Sequence, residues 1–168
     1  MRKIILLLLA AFMAATLFGC GQTKTEAVST IVPMRATVEI ADPQNAAQSI
    51  YAQLENRKIT KLSDEQLEEQ LRISPDDVEE YLAYLSDPNS GLANLVILLP
   101  KADKRDALRT ALQLYQSRCM EEYRSYDILS SYSIAQGAQV FDQGDYLILL
   151  MMPNNDDARE IIDQYMPL

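Results

Sequence analysis

The segment QVFDQGDYLILLMM, residues 139–152, decides the fold of this 168-residue chain. Apolar residues stand on both sides of a short polar stretch with a glycine, which is the pattern of two antiparallel strands joined by a tight turn. We predict a two-residue loop of Gln143 and Gly144, which would pair Phe141 with Tyr146. The second strand is almost continuously apolar, as expected for a central strand that is covered on both faces.

A second hairpin is predicted upstream, around the turn sequence DPNSG at residues 87–91. Residues 92–99 form an apolar run of strand length and are also expected at the centre of the sheet. The apolar residues of 78–86 fit a strand or the face of a helix. We predict a turn at 75–77 followed by a strand over 78–86, and a helix is the alternative.

Four helices are predicted from capping signals and from the helical spacing of apolar residues. A helix over 42–57 begins with an Asp N-cap and a proline at the first helical position. A shorter helix over 63–71 begins with a capping box, Ser-Asp-Glu-Gln. The two remaining helices are expected over 101–124 and 154–165.

These elements follow the order α-α-β-β-α-β-β-α, which indicates an α+β domain over residues 42–168. Its mostly antiparallel sheet would have about four strands from two hairpins, with the helices packed on it. This length is about one domain and can bury a core without disulfides.

The first twenty residues, MRKIILLLLAAFMAATLFGC, have the pattern of a bacterial lipoprotein signal. Two basic residues precede an uncharged apolar run, and Leu-Phe-Gly-Cys at 17–20 ends that run with a thiol that can accept a lipid. Cleavage would remove the signal peptide, residues 1–19. Lipidated Cys20 would then begin a tether over 20–41, which precedes the domain.

Two other interpretations of the N-terminus stay open. The run from Ile4 to Gln22 has no charge and is close to the length that spans a membrane, so it could remain as an anchor. Ordinary cleavage without a lipid is the second, because Phe18 stands where a small or β-branched residue is usual. We favour the lipoprotein because leucine, glycine and cysteine stand where lipid transfer and cleavage require them.

The composition excludes several classes of function. Removal of Arg2 and Lys3 from the 15 basic residues leaves 13 against 24 acidic ones, a charge of −11, which disfavours nucleic acid as a partner. The chain has no histidine, which excludes Ser-His-Asp and Cys-His catalysis and histidine zinc sites. Lipidation of Cys20 would leave Cys119 without a disulfide partner.

The C-terminal half resembles a known family. Arg118, Tyr123 and Tyr126, followed by Ala138-x-Val140 and Gly144-x-Tyr146, resemble an uncharacterised domain-of-unknown-function family of small lipoproteins from Gram-positive, clostridial-type anaerobes. The resemblance covers roughly residues 43–165. It implies a lipid-anchored α+β architecture, but no activity and no functional residues.

Two acidic clusters are candidate cation sites, and the first could also serve as an acid/base pair. Asp142 and Asp145 would face each other across the predicted turn, and we interpret them as turn residues that hydrogen-bond the local backbone. Asn154-Asn155-Asp156-Asp157 lacks the spacing of a calcium loop and is explained by helix capping. We therefore assign no catalytic residue, no cofactor and no metal ligand.

Tyr123, Tyr126 and Tyr132, late in the long helix and just beyond it, form a candidate interaction surface. Such rings could stack on sugars of an envelope polymer, although tyrosines near a helix end more often bury the ring and keep the hydroxyl wet. Cys119 lies on the predicted buried stripe and is expected to be a core thiol. Arg118 is expected to pair with a surface carboxylate.

The sequence thus favours an extracytoplasmic, membrane-anchored lipoprotein that serves as a non-enzymatic binding module of the cell envelope. Its expected partners are the lipid bilayer, through acylated Cys20, and an unidentified protein or envelope component. One alternative is an envelope-polymer hydrolase, for which no paired carboxylates are evident on rigid elements. The other is a small solute-binding accessory lipoprotein, whose usual two lobes exceed one domain.

Overall fold

The computed structural model describes residues 40–54 and 57–168, which form a five-stranded antiparallel sheet with helices on both faces. The α+β class and the antiparallel sheet predicted from the sequence are confirmed. The predicted signal peptide and nearly all of the predicted tether lie outside the described residues.

The strands are β1 (Ile59–Lys61), β2 (Val78–Ser86), β3 (Asn94–Pro100), β4 (Gln139–Gln143) and β5 (Tyr146–Met151), in the spatial order β1-β2-β3-β5-β4. The helices are α1 (Pro43–Leu54), α2 (Asp64–Gln66, continued by a π turn at Leu67–Leu71), α3 (Arg105–Tyr123), α4 (Ser131–Gln136) and α5 (Asn155–Tyr165). None of the described helices combines the length and the apolar character needed to cross a membrane.

The two central strands, β3 and β5, are buried on both faces, as predicted. Ile97 pairs with Ile148, and both side chains pack under α1 and α5. Val96 pairs with Leu149, and these side chains pack on the opposite face, in the core that includes α3. The strand predicted over 78–86 is also confirmed as β2.

Two elements were not predicted. β1 has only three residues, with Ile59 as its single large apolar side chain, and it forms by pairing with the C-terminal half of β2. α4 lies between the predicted long helix and the C-terminal hairpin, and its Ser131 and Ala135 are fully buried. Neither segment has a period of its own that is long enough to identify it, because tertiary contacts stabilise both.

The predicted register of the C-terminal hairpin is wrong. The loop is Gly144-Asp145, so Gln143 pairs with Tyr146, and Phe141 does not. Gly144 has a φ of +56° and takes the first central position, where a type II′ turn requires glycine. The correction moves the pairing by two residues and leaves each side chain on its face, so alternation alone cannot separate the two registers.

The chain enters the described domain at one end of the sheet. The N–H of Asp42 donates to the carbonyl of Tyr165 (2.9 Å), and Gln143, beside the β4–β5 turn, donates from Nε2 to the carbonyl of Met166 (2.5 Å). Asn94 pairs with the last residue of β5 and therefore lies at the opposite end. The seven residues of β3 separate the two ends by about 20 Å.

Candidate functional site

A cleft of about 570 Å³ lies between β1, the adjoining ends of β2 and β3, and helix α3; we name it the polar cleft. Its polar or charged lining residues include Lys58, Thr60, Gln66, Gln70, Ser86, Asp87, Asn94, Tyr115, Arg118 and Glu122. A more open depression of about 720 Å³ lies beside the start of α5. We assign the candidate site to the polar cleft, because it has the volume of a ligand site and buried polar side chains converge on its floor.

The side chains on the floor of the polar cleft form a continuous chain of hydrogen bonds. The Ser86 hydroxyl accepts from the N–H of Ala93 (2.9 Å) and donates to Asn94 Oδ1 (3.0 Å). Asn94 Nδ2 donates to the Tyr115 hydroxyl (2.8 Å), and Tyr115 lies beside the Cys119 thiol. The chain joins β2, β3 and α3, and such a satisfied network makes the floor rigid.

Burial keeps this floor uncharged. It raises the pKa of Cys119 to about 11, although the hydrogen bond from Tyr115 acts in the opposite direction. Burial also raises the pKa of Tyr115 well above its ordinary value, and the neighbouring Cys119 adds to that effect. The expectation that Cys119 is a core thiol is confirmed by its 4% exposure. The floor therefore offers neutral hydrogen-bonding groups rather than a thiolate.

Arg118 lies at the mouth of the polar cleft, and among the described residues it contacts a backbone carbonyl and an aromatic ring rather than the expected carboxylate. Its Nη2 donates to the carbonyl of Gln70 (2.5 Å), and its guanidinium lies 5.5 Å from the centroid of the Tyr115 ring. These contacts tie α3 to the π turn after α2. A guanidinium has five N–H donors, so Arg118 can keep the Gln70 contact and still donate to a ligand at the mouth.

The three tyrosines of the candidate interaction surface differ in exposure. Tyr123 is 4% exposed, and its hydroxyl donates to the carbonyl of Pro88 (3.3 Å) beside the polar cleft. Tyr132 is half-buried against the core under α3, whereas Tyr126 is 75% exposed. Of these three, Tyr126 alone presents a fully exposed ring, and its role in binding stays a prediction.

Asp142 is held by α3 and does not face Asp145. Its Oδ1 accepts from Arg105 Nη1 (2.6 Å), and its Oδ2 accepts from Arg109 Nη2 (2.5 Å). Arg105 also donates to the backbone carbonyl of Asp145 (2.6 Å). Partial burial raises the pKa of Asp142, but the hydrogen bonds from the two arginines outweigh it and lower the pKa. The expected local backbone role is therefore wrong for Asp142, which connects the hairpin to a helix.

Residues 154–157 open α5, as predicted, although Asn154 makes no side-chain cap. Asn155 instead accepts from the N–H of Met152 at Oδ1 and donates from Nδ2 to the carbonyl of Gly137, both at 2.9 Å. Across residues 40–54 and 57–168, no three Cys, Asp or Glu side chains are grouped to hold a metal ion.

Residues 44–152 match the family described as a domain of unknown function, DUF4358. The chain belongs to this family. The match begins in α1 and ends just after β5, so it includes the whole sheet and the polar cleft. Comparisons with curated proteins and with solved structures found no match.

Sequence reasoning missed two residues of the cleft in this DUF4358 domain, Ser86 and Asn94. Asn94 does carry a signal, because an amide inside the apolar run 92–99 must find a buried partner. Ser86 carries none, since serine before a turn is ordinary.

Proposed function

We propose that this protein is a lipid-anchored binding module on the extracytoplasmic face of the cell membrane and that it holds a partner without catalysing a reaction. One observation carries the proposal: the chain enters the domain beside Tyr165, and the polar cleft lies at the other end of the sheet. An anchor on the residues before Asp42 would keep that end of the sheet nearer to the membrane, on average, and leave the cleft on the side that faces away from it.

The N-terminal sequence supports the anchor. Cys20 ends an apolar run behind two basic residues, where lipid transfer requires it. A flexible tether over 20–41 would have a root-mean-square span of about 25 Å, enough to lift the domain from the headgroups. The acidic surface gives no attraction to anionic lipids, so acyl chains would supply the attachment.

The chemistry of the cleft supports binding rather than catalysis. A general acid or base works best when its pKa lies near the working pH, and burial moves the pKa values of Cys119 and Tyr115 away from neutrality. Their neutral groups, together with Ser86 and Asn94, are suited to hold a ligand by hydrogen bonds.

Metabolic labelling with a fatty-acid probe tests the anchor. Cys20→Ala should abolish the label and leave the precursor uncut, whereas Cys119→Ala is the matched control and should keep both the label and the cleavage. Equal label on the Cys20→Ala protein would refute the lipoprotein.

Fluorescence quenching tests the orientation. A dye attached through Asp145→Cys, beside the entry of the chain, should be quenched by headgroup-labelled lipids more strongly than one attached through Asn89→Cys, beside the cleft. Both variants need the Cys119→Ala background so that the dye has one site in the domain. Equal quenching at the two positions would contradict a cleft that points away from the membrane.

A further inference from the structure

The edge strand β1 presents backbone groups to an added strand. The carbonyl of Lys58 accepts from the N–H of Asp87, just after β2, at 2.9 Å, and the N–H of Leu62 donates to the carbonyl of Ala83 in β2 at 2.8 Å. Residues at even positions therefore turn their backbone groups toward β2. Since this direction alternates along an antiparallel strand, the N–H and C=O groups of Ile59 and Lys61 point outward. No hydrogen bond reaches these four groups from any residue that the structure describes.

Two cavities flank this edge on opposite faces of the sheet. The polar cleft lies on the face that carries Thr60. A groove of about 320 Å³ lies on the other face, between α1 and the side chains of Ile59, Lys61 and Tyr84; we name it the aromatic groove. Tyr51 and Tyr84 meet there edge to face, with ring centroids 5.5 Å apart.

An extended chain matches this arrangement. Its side chains point alternately to the two faces of a sheet, and an added strand lies about 4.8 Å from its neighbour. A strand paired with β1 would therefore send alternate side chains into the polar cleft and into the aromatic groove. Backbone hydrogen bonds supply affinity in this mode of recognition, and the two cavities supply specificity.

We propose that β1 binds an extended acidic peptide of a partner protein by strand addition. This inference rests on the proposed binding function and assigns its site and its ligand class. Residues that alternate with the acidic ones are apolar or aromatic, because the aromatic groove receives every second side chain.

Charge complementarity selects an acidic occupant. Lys58 and Lys61 lie within residues 57–61, which contain no acidic side chain, on a chain whose net charge is −9. Asp87 offsets part of this charge, since its Oδ2 lies 3.9 Å from Lys58 Nζ. Lys58 lines the polar cleft and Arg118 lies at its mouth, so the carboxylates of the peptide that face this cavity can reach two cationic side chains.

The same charges disfavour a second copy of the chain, because two β1 strands side by side would place lysines against lysines. A short strand with lysines is also a common protection of a sheet edge against pairing. Protection of the edge does not explain the cavities on both faces of the sheet. A binding measurement distinguishes an edge that only resists pairing from one that binds a peptide.

The test uses the full-length protein in detergent micelles and a fluorescent peptide that alternates glutamate with valine or tyrosine. Anisotropy should show saturable binding. Lys61→Pro removes one outward N–H and leaves the inward ladder intact, so it should weaken binding at least tenfold. Lys58→Ala removes a charge that lines the polar cleft and should weaken binding less, whereas Lys101→Ala, with the same loss of charge at the far end of β3, should leave it unchanged.

Two peptide controls keep the test independent of the fold of the variants. A peptide with lysine in place of glutamate, and one with N-methyl groups on alternate residues, should each bind wild type at least tenfold more weakly. The proposal is overturned by absence of saturable binding up to about 1 mM, a bound of about −4 kcal/mol. It is also overturned by equal binding of the N-methylated peptide, or by self-association of wild type that Lys61→Pro abolishes. The fatty-acid label on Cys20 is measured separately, so failure of the anchor and failure of the peptide site are distinguishable.

Discussion

Asn94 on β3 donates a hydrogen bond of 2.8 Å from Nδ2 to the hydroxyl of Tyr115, which fastens α3 over one end of the sheet. The Asn94 side chain is buried, and its Oδ1 accepts from the N–H of Ser86 (2.8 Å). Without the tyrosine hydroxyl, Nδ2 would keep only the Met151 sulfur at 3.9 Å. The Tyr115 hydroxyl therefore determines whether the buried Asn94 amide has a good hydrogen-bond acceptor.

Tyr115→Phe should lower the free energy of unfolding by about 1–3 kcal/mol, because it leaves a buried amide donor without a good acceptor. Urea denaturation of the two proteins measures this difference. Tyr126→Phe removes a hydroxyl from an exposed ring and should change stability by less than about 0.5 kcal/mol. Equal losses in the two variants would mean that the Asn94–Tyr115 bond contributes nothing specific.

The Cys119 thiol should react slowly in the folded protein, since it is buried and its pKa is raised. In a Cys20→Ala background Cys119 is the single thiol, so a maleimide or disulfide reagent reports on it alone. Labelling should become fast when the protein is denatured. Fast labelling of the native protein would place Cys119 at the surface.

Stability should fall as the pH rises from 9 toward 11. The pKa of Cys119 is raised from 9.0 to about 11, so the unfolded chain loses this proton first and deprotonation favours unfolding. The contribution is fully present below pH 9 and is lost by about pH 11. Wild type should therefore lose up to about 2–3 kcal/mol more than Cys119→Ala over this range. Parallel pH profiles of the two proteins would contradict the raised pKa.

Gly144→Ala should destabilise the domain by about 1–2 kcal/mol, because φ at this turn position is +56° and an L side chain resists that conformation. The added Cβ would meet nothing closer than the carbonyl of Pro167 at 3.8 Å, so the cost is conformational rather than steric. Gly137→Ala is the matched control, since Gly137 has a φ of −83°. Thermal melts of the two variants give the comparison, and an equal shift in both would refute the turn assignment.

Asp142→Asn should cost about 0.5–1 kcal/mol, a modest value because the carboxylate and its arginine partners are partly exposed. The pKa of Asp142 is lowered, so this stabilisation is present above the pKa of the unfolded chain and disappears as the pH falls through the folded value. The cost should also shrink in high salt. Asp145→Asn should be near neutral, because the backbone carbonyl of Asp145, not its side chain, contacts Arg105. A larger cost for Asp145→Asn than for Asp142→Asn would contradict this arrangement.

Several parts of the fold follow from local sequence. The apolar runs at 92–99 and 146–152 are long enough to identify central strands. The turn sequence at 87–91, followed by the run 92–99, predicts a hairpin and so makes a strand over 78–86 more favourable than a helix. The buried position of Cys119 follows from helical spacing alone. Such patterns can be read without the rest of the chain because burial of one face imposes a period on neighbouring residues.

Other parts required tertiary structure. β1 forms because its backbone groups hydrogen-bond to β2. Its three residues are too few to show the alternating pattern by which a strand is recognised in the sequence. The position of Asp142 depends on where α3 crosses the hairpin, which local turn chemistry does not contain.

The sequence by itself determined the class of the fold, its central strands and its family, because hydrophobic periodicity acts over neighbouring residues. Only the tertiary structure decided the hairpin register, since a shift of two residues preserves every face. It alone also decided the polar cleft, because Ser86, Asn94, Tyr115 and Cys119 come from three elements and meet only when α3 packs on the sheet. Hydrogen bonds form between buried groups that lie close together in space. The separation of two residues along the chain does not predict that distance.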